Sequence, residues 1–447
     1  MLITEKEARS VADKMLGLVK ADDAVVGIRS ETSSHLRFAA NSFLTSGRTE
    51  NIIATITVWI DRKRGAASTN DVDDASLRQM VDQAEGLARI APVDREYLPT
   101  LRAQIYQATQ RYADSTANIP LADRARQIND AISASEKAGV VSAGFHDAST
   151  IATADATKNG NFSYELTSSV SLSITARTPD GEGSGYFKRN HFDAARLDTG
   201  HISREAIRRA LESRGARTLE PGTYSVILEA QAVADLVSGP GLGFDARNAD
   251  EGRSPFSAPG GNTRLGEKIF DERISVLSDP WRSELPGSQA AQAGLPAQVV
   301  YLVRNGVLEN LVYSRFWAQE KNKQPTAGPV NRIMEPSGPP ARVEEMIRAT
   351  SRGLLVGRFW YIRAVDPRTA TLTGLTRDGI WYIENGQVRY PVRNFRFNQS
   401  VIQMLAPGNV EMIGAPERVS SSEGGNAALL PALKLRAFNF TSQSEAV

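Results

Sequence analysis

The sequence has 447 residues, with 52 Lys and Arg against 51 Asp and Glu, four histidines and no cysteine. This length is enough for two or three domains with sizeable cores, and the formal net charge of +1 gives no whole-molecule reason to expect nucleic acid as a partner. The lack of cysteine excludes disulfide-stapled folds, iron–sulfur clusters, cysteine nucleophiles and zinc sites built on thiolates.

The chain begins with a predicted helix and a predicted antiparallel sheet. Thr4 and Glu7 have the spacing of a capping box, and apolar residues then recur on one helix face to about Val19. Asp74 is predicted to cap a second amphipathic helix that ends near Ile90. Between the two helices lie short alternating or β-branched runs typical of strands, at residues 24–28, 36–40, 52–60 and 65–69.

The same order of elements then returns. A helix is predicted over residues 121–137, and another over residues 203–214. Strand-like runs separate them, at residues 140–147, 150–156, 161–178 and 183–189. We therefore predict an α+β fold in which residues 1–217 form one domain made of two similar helix–strands–helix halves.

Residues 218–447 are predicted to form a mostly β C-terminal domain. A turn-rich segment at 218–223 precedes a buried strand at 224–228 and an apolar helix that ends near Val237. A long Gly- and Pro-rich stretch reaches to about residue 298 and is typical of a functional or mobile loop. Asn-Gly between apolar runs predicts two hairpins, at residues 305–306 and 385–386, and further strands are predicted at 353–364, 369–376 and 401–413.

The residues alone reveal no active site. The four histidines lack the spacing of a helical metal-binding pair, and none lies in the predicted C-terminal domain: His35, His146, His191 and His201. The glycine run at 239–243 matches neither a dinucleotide fingerprint nor a phosphate-binding loop. Arg358, Trp360 and Arg363 belong to a run of alternating arginine and aromatic residues that could stack on a ligand or bind carboxylates. A half-buried strand would show the same alternation.

Several segments together resemble one family. They are the strand 224–228 leading into 232–237, the motif 254–257, the strand 274–280, the hairpin 378–386 followed by Tyr-Pro-Val at 390–392, and the terminal run 431–441. In their order and spacing, over nearly the full chain, they are similar to the TldD/TldE (PmbA) family.

The resemblance implies a particular kind of subunit. In that family the TldD-type subunit is a zinc metalloprotease with an H-E-x-x-x-H helix after the buried strand and a cysteine near the C-terminus. The two imidazoles and the thiolate hold zinc, and the glutamate can act as general base on a metal-bound water. The corresponding positions here are Ser238, Gly239 and Gly243, and no cysteine exists. The resemblance thus implies a TldE/PmbA-type chain with no catalytic or metal-binding residues of its own.

From the resemblance we predict a non-catalytic subunit of a peptidase complex that degrades or processes unfolded peptides. A TldD-type paralogue would supply the zinc, while this chain shapes the chamber and helps hold substrate, with Arg358, Trp360 and Arg363 as candidate contacts. The alternatives are a stand-alone homodimeric peptide-binding or scaffold protein without peptidase activity, and a metal-independent hydrolase that uses Ser238 or another hydroxyl group. No signal peptide or membrane-spanning segment is visible, so we expect a cytoplasmic protein.

Overall fold

The computed structural model describes residues 2–238 and 241–444. Its N-terminal part contains the two predicted sets of helices and strands. The first set comprises α1 (Glu5–Leu18), β1 (Asp23–Ala39), β2 (Ser42–Ile60), β3 (Lys63–Thr69) and α2 (Asp74–Ile90). The second set comprises α3 (Asp114–Ala117), α4 (Leu121–Lys137), β4 (Val141–Thr157), β5 (Phe162–Arg177), β6 (Ser184–His191), a 3-10 turn (Ala194–Arg196) and α5 (Thr199–Glu212).

The strands of both sets form one six-stranded antiparallel sheet in the order β3-β2-β1-β4-β5-β6. The two halves therefore meet where β1 pairs with β4. Apolar residues of α1 and α2 pack on one face of the first half, and those of α4 and α5 pack on the same face of the second. Among the described residues of this domain, no helix packs its apolar residues on the opposite face, which is available to form one wall of a cleft.

The capping box at Thr4 and Glu7 is confirmed. The second helix is capped by Asp73 and not by Asp74, because the Asp73 carboxylate accepts the backbone N–H of Ser76 at 2.8 Å. The runs predicted as separate strands at 24–28 and 36–40 are one strand, β1. Pairing with β2 and β4 continues through the polar residues between them, so the ladder overrides their weak strand pattern.

The C-terminal part is mostly strand, as predicted, and begins at β7. Its first elements are β7 (Gly222–Leu228), α6 (Ala230–Val237), α7 (Ala246–Asp250), β8 (Ser257–Ala258), β9 (Asn262–Thr263), β10 (Ile274–Ser278), a 3-10 turn (Gln292–Gly294), β11 (Val300–Arg304), β12 (Val307–Leu308) and α8 (Arg315–Glu320). They are followed by β13 (Ile333–Pro336), α9 (Val343–Arg348), β14 (Arg352–Val356), β15 (Phe359–Asp366), β16 (Thr371–Thr376), β17 (Ile380–Glu384), β18 (Gln387–Pro391), β19 (Phe395–Ser400), α10 (Val401–Met404), β20 (Val410–Val419) and β21 (Ala428–Gln443).

These strands build a thirteen-stranded mixed sheet in which β7 lies between β21 and β14. Both predicted Asn-Gly hairpins are present, and all four turn residues have positive φ, as a type I′ turn requires. The run predicted as one strand at 353–364 is two strands, β14 and β15, which belong to different branches of the sheet. The run predicted at 401–413 instead begins with the short helix α10 before β20 starts.

Within the described residues, no helix combines the length and the apolar character needed to cross a bilayer. A single large core joins α6 to the strands around it and includes a cluster of stacked phenylalanines. This core places the end of α6 and the segment after β20 next to each other.

Candidate functional site

The predicted strand and apolar helix lie at the centre of the C-terminal domain. All eight residues of α6 are buried, and its last turn ends where the backbone N–H of Ser238 donates to the carbonyl of Ala234 at 3.1 Å. Ser238 itself is half-buried and Gly243 is exposed. Gly239 lies outside the described residues. Ser238, the first of the three positions predicted to correspond to the family's metal motif, therefore lies at the C-terminal end of a buried helix.

Asp235, on α6, is a buried carboxylate committed to backbone groups. It accepts the backbone N–H of Phe359 at 2.9 Å and that of Ser422 at 2.7 Å, and also the side-chain amide of Gln231 at 3.0 Å. Removal from water raises the pKa of Asp235 to about 6. The hydrogen bonds from Ser422 and Phe359 lower this pKa and so offset part of the rise. Asp235 thus fastens β15 and the segment after β20 to α6, and its lone pairs are occupied by structural contacts.

Arg332 occupies the C-terminal end of the same helix. Its guanidinium donates to the carbonyl of Val237 and to the carbonyl of Leu242, the latter at 3.0 Å. Burial lowers the pKa of Arg332, and no ion pair to a carboxylate is formed by it within the described parts of the chain. A cationic group therefore holds the carbonyls on either side of Ser238, where the helix dipole favours positive charge.

The side chains at this helix end do not suit zinc. Zinc sites in proteins are built from imidazole, thiolate and carboxylate ligands, whereas Ser238 offers a hydroxyl and Gly243 offers no side chain. Over residues 2–238 and 241–444, no group of three or more His, Asp or Glu side chains converges in a way that could hold a metal ion. The neighbouring Arg332 adds a positive charge that a divalent cation would oppose.

A large cleft lies between the helix-free face of the N-terminal sheet and loops of the C-terminal domain. Its main section has a volume of about 860 Å³, in the range of small-molecule and peptide sites. Strands β4 and β5 supply most of the floor with Ser, Thr, Asp and Glu side chains, and β1 adds Val25 and Arg29. The roof is formed by residues 288–294 and 314–316.

Several hydrogen bonds fasten this roof to the N-terminal domain. The hydroxyl of Tyr106 donates to the carbonyl of Gly294 at 2.7 Å, and the Gln289 side chain donates to the carbonyl of Tyr164 at 2.7 Å. The cleft therefore has both walls supplied by one chain, and its width is set by contacts between the two domains.

Glu165 and Asp155 are acidic residues on the floor with different environments. Glu165 accepts from Arg111 at 2.8 Å, from Ser288 at 3.1 Å and from the backbone N–H of Gln289 at 3.2 Å. The side chain of Asp155 makes no hydrogen bond or ion pair within the described residues, although its backbone pairs with β1 and β5. Loss of contact with water raises the pKa of Asp155, and the negative charge of Glu165 raises it further. Asp155 is thus a carboxylate in the cleft with free acceptor capacity.

A second section of about 420 Å³ adjoins the first and extends toward the segment after β20. Arg418 crosses between the domains here, because its guanidinium donates to the carbonyl of Asn190 at 3.2 Å and to the carbonyl of Glu284 at 2.8 Å. Burial lowers the pKa of Arg418 to about 10. Ser420 lines this section, and its carbonyl accepts from Gln231 of α6 at 2.8 Å. One segment therefore contacts α6 on one side and the cleft on the other.

The three residues predicted to hold substrate lie on or beside β15, away from the residues that line the cleft. Arg358 is buried, pairs with Asp378 at 3.3 Å and lies over the ring of Tyr186 at 3.9 Å. The Ser184 hydroxyl donates to the same carboxylate, so the cluster links the two domains. Burial raises the pKa of Tyr186 to about 12.

Arg363 is more open than Arg358. It pairs with Glu423 at 3.4 Å and lies over the ring of Tyr361 at 4.3 Å, while Trp360 is half-buried with Arg358 5.0 Å from its ring centre. A substrate role for Arg358, Trp360 and Arg363 stays a prediction. Their present contacts make Arg363 the most accessible of the three.

The histidines are dispersed. His146 is fully buried against Gln127, and burial lowers its pKa to about 4. His35 stacks on Phe145 at 5.6 Å, and His201 contacts the edge of Phe187 at 5.3 Å. His191 accepts a backbone N–H at 2.9 Å, with a pKa lowered to about 4. In all four cases the imidazole packs against other side chains or backbone, and no two imidazoles lie together.

Sequence reasoning did not identify the cleft. Its floor consists of alternating Ser and Thr residues on β4 and β5, which resemble a solvent-facing strand surface. One feature could have indicated the cleft. Both strands are long, and the helices predicted for the same half of the domain account for only one face of them.

Three family models match successive parts of the chain. They are PmbA/TldA metallopeptidase domain 1 over residues 24–88, the central domain over residues 113–214 and the C-terminal domain over residues 221–442. A comparison with curated protein sequences gives no significant match.

Solved structures share this fold over nearly their whole length. TldE from Thermococcus kodakarensis is 16% identical with a TM-score of 0.84, covering 98% of this chain and 99% of that one. A proposed modulator of a DNA gyrase from Thermotoga maritima is 16% identical with a TM-score of 0.85, covering 97% of this chain and 100% of that one. A similarly described protein from Bacteroides thetaiotaomicron is 17% identical with a TM-score of 0.81, covering 99% and 100%. These likenesses establish the fold, and the three family models establish that the chain belongs to the PmbA/TldD family of metallopeptidases.

Proposed function

We propose that this chain is the non-catalytic subunit of a zinc peptidase complex that degrades or processes unfolded peptides. A TldD-type paralogue supplies the zinc, and this chain supplies part of the chamber and holds substrate. The observation that carries the proposal is that Ser238 and Gly243, at the positions of the family's metal motif, have no zinc-ligating group.

The environment of that helix end supports the same role. Asp235 and Arg332 use their polar atoms to fasten loops to α6, and neither is placed as a base beside an open position. A general base needs to reach the proton that it removes. The chemistry is therefore assigned to the partner subunit.

The cleft supports a role in holding peptide. Its floor offers hydroxyl groups and the free carboxylate of Asp155, which would bind polar backbone groups and a positively charged group of the substrate. Because roof and floor come from one chain, peptide binding does not require the partner's surface. This feature also favours the second candidate function, a stand-alone peptide-binding protein without peptidase activity.

The proposal is tested by purifying the chain alone and together with a paralogue from the same genome that carries H-E-x-x-x-H. Cleavage of a quenched fluorescent unfolded peptide is followed with and without a chelator. We expect chelator-sensitive cleavage by the pair and none by this chain alone. Peptide binding by the chain alone, with no gain of cleavage on adding the paralogue, would instead support the second candidate.

A matched pair of variants separates subunit roles within the complex. Glutamine in place of the motif glutamate of the paralogue should abolish cleavage and leave peptide binding intact. Asp155→Asn in this chain should raise KM for a basic peptide with little change in kcat, because it removes a binding contact and no reacting group.

A further inference from the structure

The two sections of the cleft differ in charge. The main section is lined by four carboxylates and three arginines, whereas the described lining of the second section has three cations, Arg111, Lys188 and Arg418, and one carboxylate, Asp147. Arg111 is shared by both sections and is already paired with Glu165 at 2.8 Å. The positive charge available in the second section is therefore that of Lys188 and Arg418.

Lys188 lies on β6 and reaches the second section from the helix-free face of the sheet. The residue is half-buried, and its ammonium group makes no hydrogen bond and no ion pair within the described parts of the chain. Burial lowers the pKa of Lys188, while the charges of Asp147 and Asp235 act in the opposite direction from beyond ion-pair distance. A cation that is partly removed from water without a partner is stabilised when an anion binds beside it.

Arg418 presents a second uncompensated charge. Its Nε donates to the carbonyl of Asn190 at 3.2 Å and its Nη1 donates to the carbonyl of Glu284 at 2.8 Å, so the guanidinium is held in place by neutral acceptors. Its Nη2 makes no hydrogen bond, and no carboxylate among the described residues pairs with it. Because its pKa is about 10, Arg418 stays protonated at neutral pH.

The charges in this section match one carboxylate. Asp147 accepts from the hydroxyl of Ser171, and its negative charge offsets one of the two available cations, which leaves a net charge of +1. A carboxylate carries one negative charge, whereas a phosphate group carries nearly two at neutral pH. The Ser169 hydroxyl and the Asn426 amide line the same section without a hydrogen bond inside the described chain, and both can donate to a carboxylate oxygen.

The two sections follow one another along a single sheet face. Asp155 lines the main section and Asp147 lines the second, and these two residues are eight positions apart on β4. At the rise of a β-strand this spacing corresponds to about 26 Å. An extended peptide of about eight residues therefore reaches from Asp155 into the second section.

We propose that Lys188 and Arg418 bind a carboxylate of the peptide in the second section of the cleft. The inference rests on the proposed function, because it takes a peptide as the ligand of the cleft. It adds a direction to that peptide, whose carboxylate lies in the second section while a positively charged residue lies near Asp155. The carboxylate is the C-terminus of the peptide or an acidic side chain close to that end, since both have the same chemistry.

The test is calorimetric titration of the full-length chain with three acetylated eight-residue peptides that begin with lysine. The first ends in a free carboxylate, the second has the same residues and a C-terminal amide, and the third is an amide with glutamate as its last residue. The free acid should bind about tenfold more tightly than the plain amide. The glutamate peptide identifies the source of the carboxylate. Affinity equal to that of the free acid means that a side chain suffices, and affinity equal to that of the plain amide means that the C-terminus is required.

Variants assign the preference to the two cations. Lys188→Met keeps the length of the side chain and removes no contact within the described protein, and it should reduce the preference for the free acid to about threefold or less with the amide affinity unchanged. Arg418→Met should reduce the same preference. Because it also removes contacts to Asn190 and Glu284, circular dichroism checks its folding and the preference is measured within each variant. Lys137→Met, on the exposed end of α4, is the matched control and should leave the preference unchanged.

Three results would overturn the inference. Equal binding of all three peptides by the wild-type chain would do so and leave the proposed function standing, since peptide is still held. A preference for the free acid that neither Lys188→Met nor Arg418→Met reduces would place the carboxylate elsewhere. Binding of none of the three peptides would also remove the inference, and chelator-sensitive cleavage by the pair with the paralogue would then decide the proposed function separately.

Discussion

The end of α6 and the cleft are polar regions of the same chain with opposite uses of their polar groups. At the end of α6, Asp235 and Arg332 have their hydrogen-bonding atoms occupied by backbone groups of the protein. In the cleft, the Asp155 carboxylate has no hydrogen-bond or ion-pair partner within the described residues and lines a volume of about 860 Å³. The difference indicates that the polar groups at the end of α6 serve structure, whereas the cleft has a carboxylate available to a ligand.

The largest effect is expected at Asp235. Asp235→Ala leaves the backbone N–H groups of Phe359 and Ser422 buried without an acceptor, and should lower the free energy of unfolding by about 3 kcal/mol or more. Urea denaturation measures the loss. Asp13→Ala, on the exposed side of α1, is the control and should change it by less than about 0.5 kcal/mol. A mild effect at Asp235 would mean that α6 is not fastened in this way.

The same carboxylate gives a pH dependence of stability. Burial raises the pKa of Asp235 to about 6 from an ordinary value of 3.8, so the folded protein binds this proton more tightly than the unfolded chain. Its contribution to stability is greatest below pH 4 and is lost as the pH rises through about 6. The difference in unfolding free energy between wild type and Asp235→Ala should therefore be larger at pH 4.5 than at pH 7, by on the order of 2 kcal/mol. An equal difference at the two pH values would contradict the burial of this group.

A smaller loss is expected at Arg332. Arg332→Met keeps much of the side-chain length but leaves the carbonyls of Val237 and Leu242 without their donor, and should cost about 2 kcal/mol of stability. Thermal and urea unfolding measure it, with Arg126→Met on α4 as the exposed control. If the variant unfolds like wild type, the positive charge at this helix end has no structural role.

The smallest effect on stability, and the clearest effect on binding, is expected at Asp155. Asp155→Asn should leave the unfolding free energy within about 0.5 kcal/mol of wild type, because the carboxylate has no protein partner to lose. Its affinity for a lysine-containing peptide should fall about three- to tenfold, with little change for the same peptide carrying glutamine.

This binding should also depend on pH. Because the pKa of Asp155 is raised, wild-type affinity for the lysine peptide should decline as the pH falls toward that raised value, and Asp155→Asn should lack the decline. Calorimetric titration of the two peptides at several pH values measures both effects. Equal losses for the lysine and glutamine peptides would remove Asp155 from the binding account.

Local features of the fold were predictable from the sequence, because short-range physics determines them. The Thr4 capping box and the two Asn-Gly turns depend on residues within a few positions of each other. The sequence did not predict that β1 continues through its polar residues. Their local pattern is weak for a strand, and it is hydrogen bonding to β2 and β4 that keeps them extended.

The candidate site was less predictable, because long-range packing forms it. The cleft exists only where residues 288–294 lie over β4 and β5, more than a hundred positions away in sequence. Arg358 was predicted to contact substrate from its aromatic neighbours, but its partner Asp378 lies on another segment and is invisible to such a pattern. What the sequence does contain is the absence of cysteine and the placement of the four histidines, and these support the proposed division of labour between subunits.

The central claim is tested most directly by one measurement on matched samples: zinc content and chelator-sensitive peptide cleavage of the chain alone, of the H-E-x-x-x-H paralogue alone and of the two together. The account predicts zinc in the paralogue and in the pair, strongest cleavage by the pair, and neither stoichiometric zinc nor cleavage in this chain. Stoichiometric zinc together with chelator-sensitive cleavage by the chain alone would contradict it.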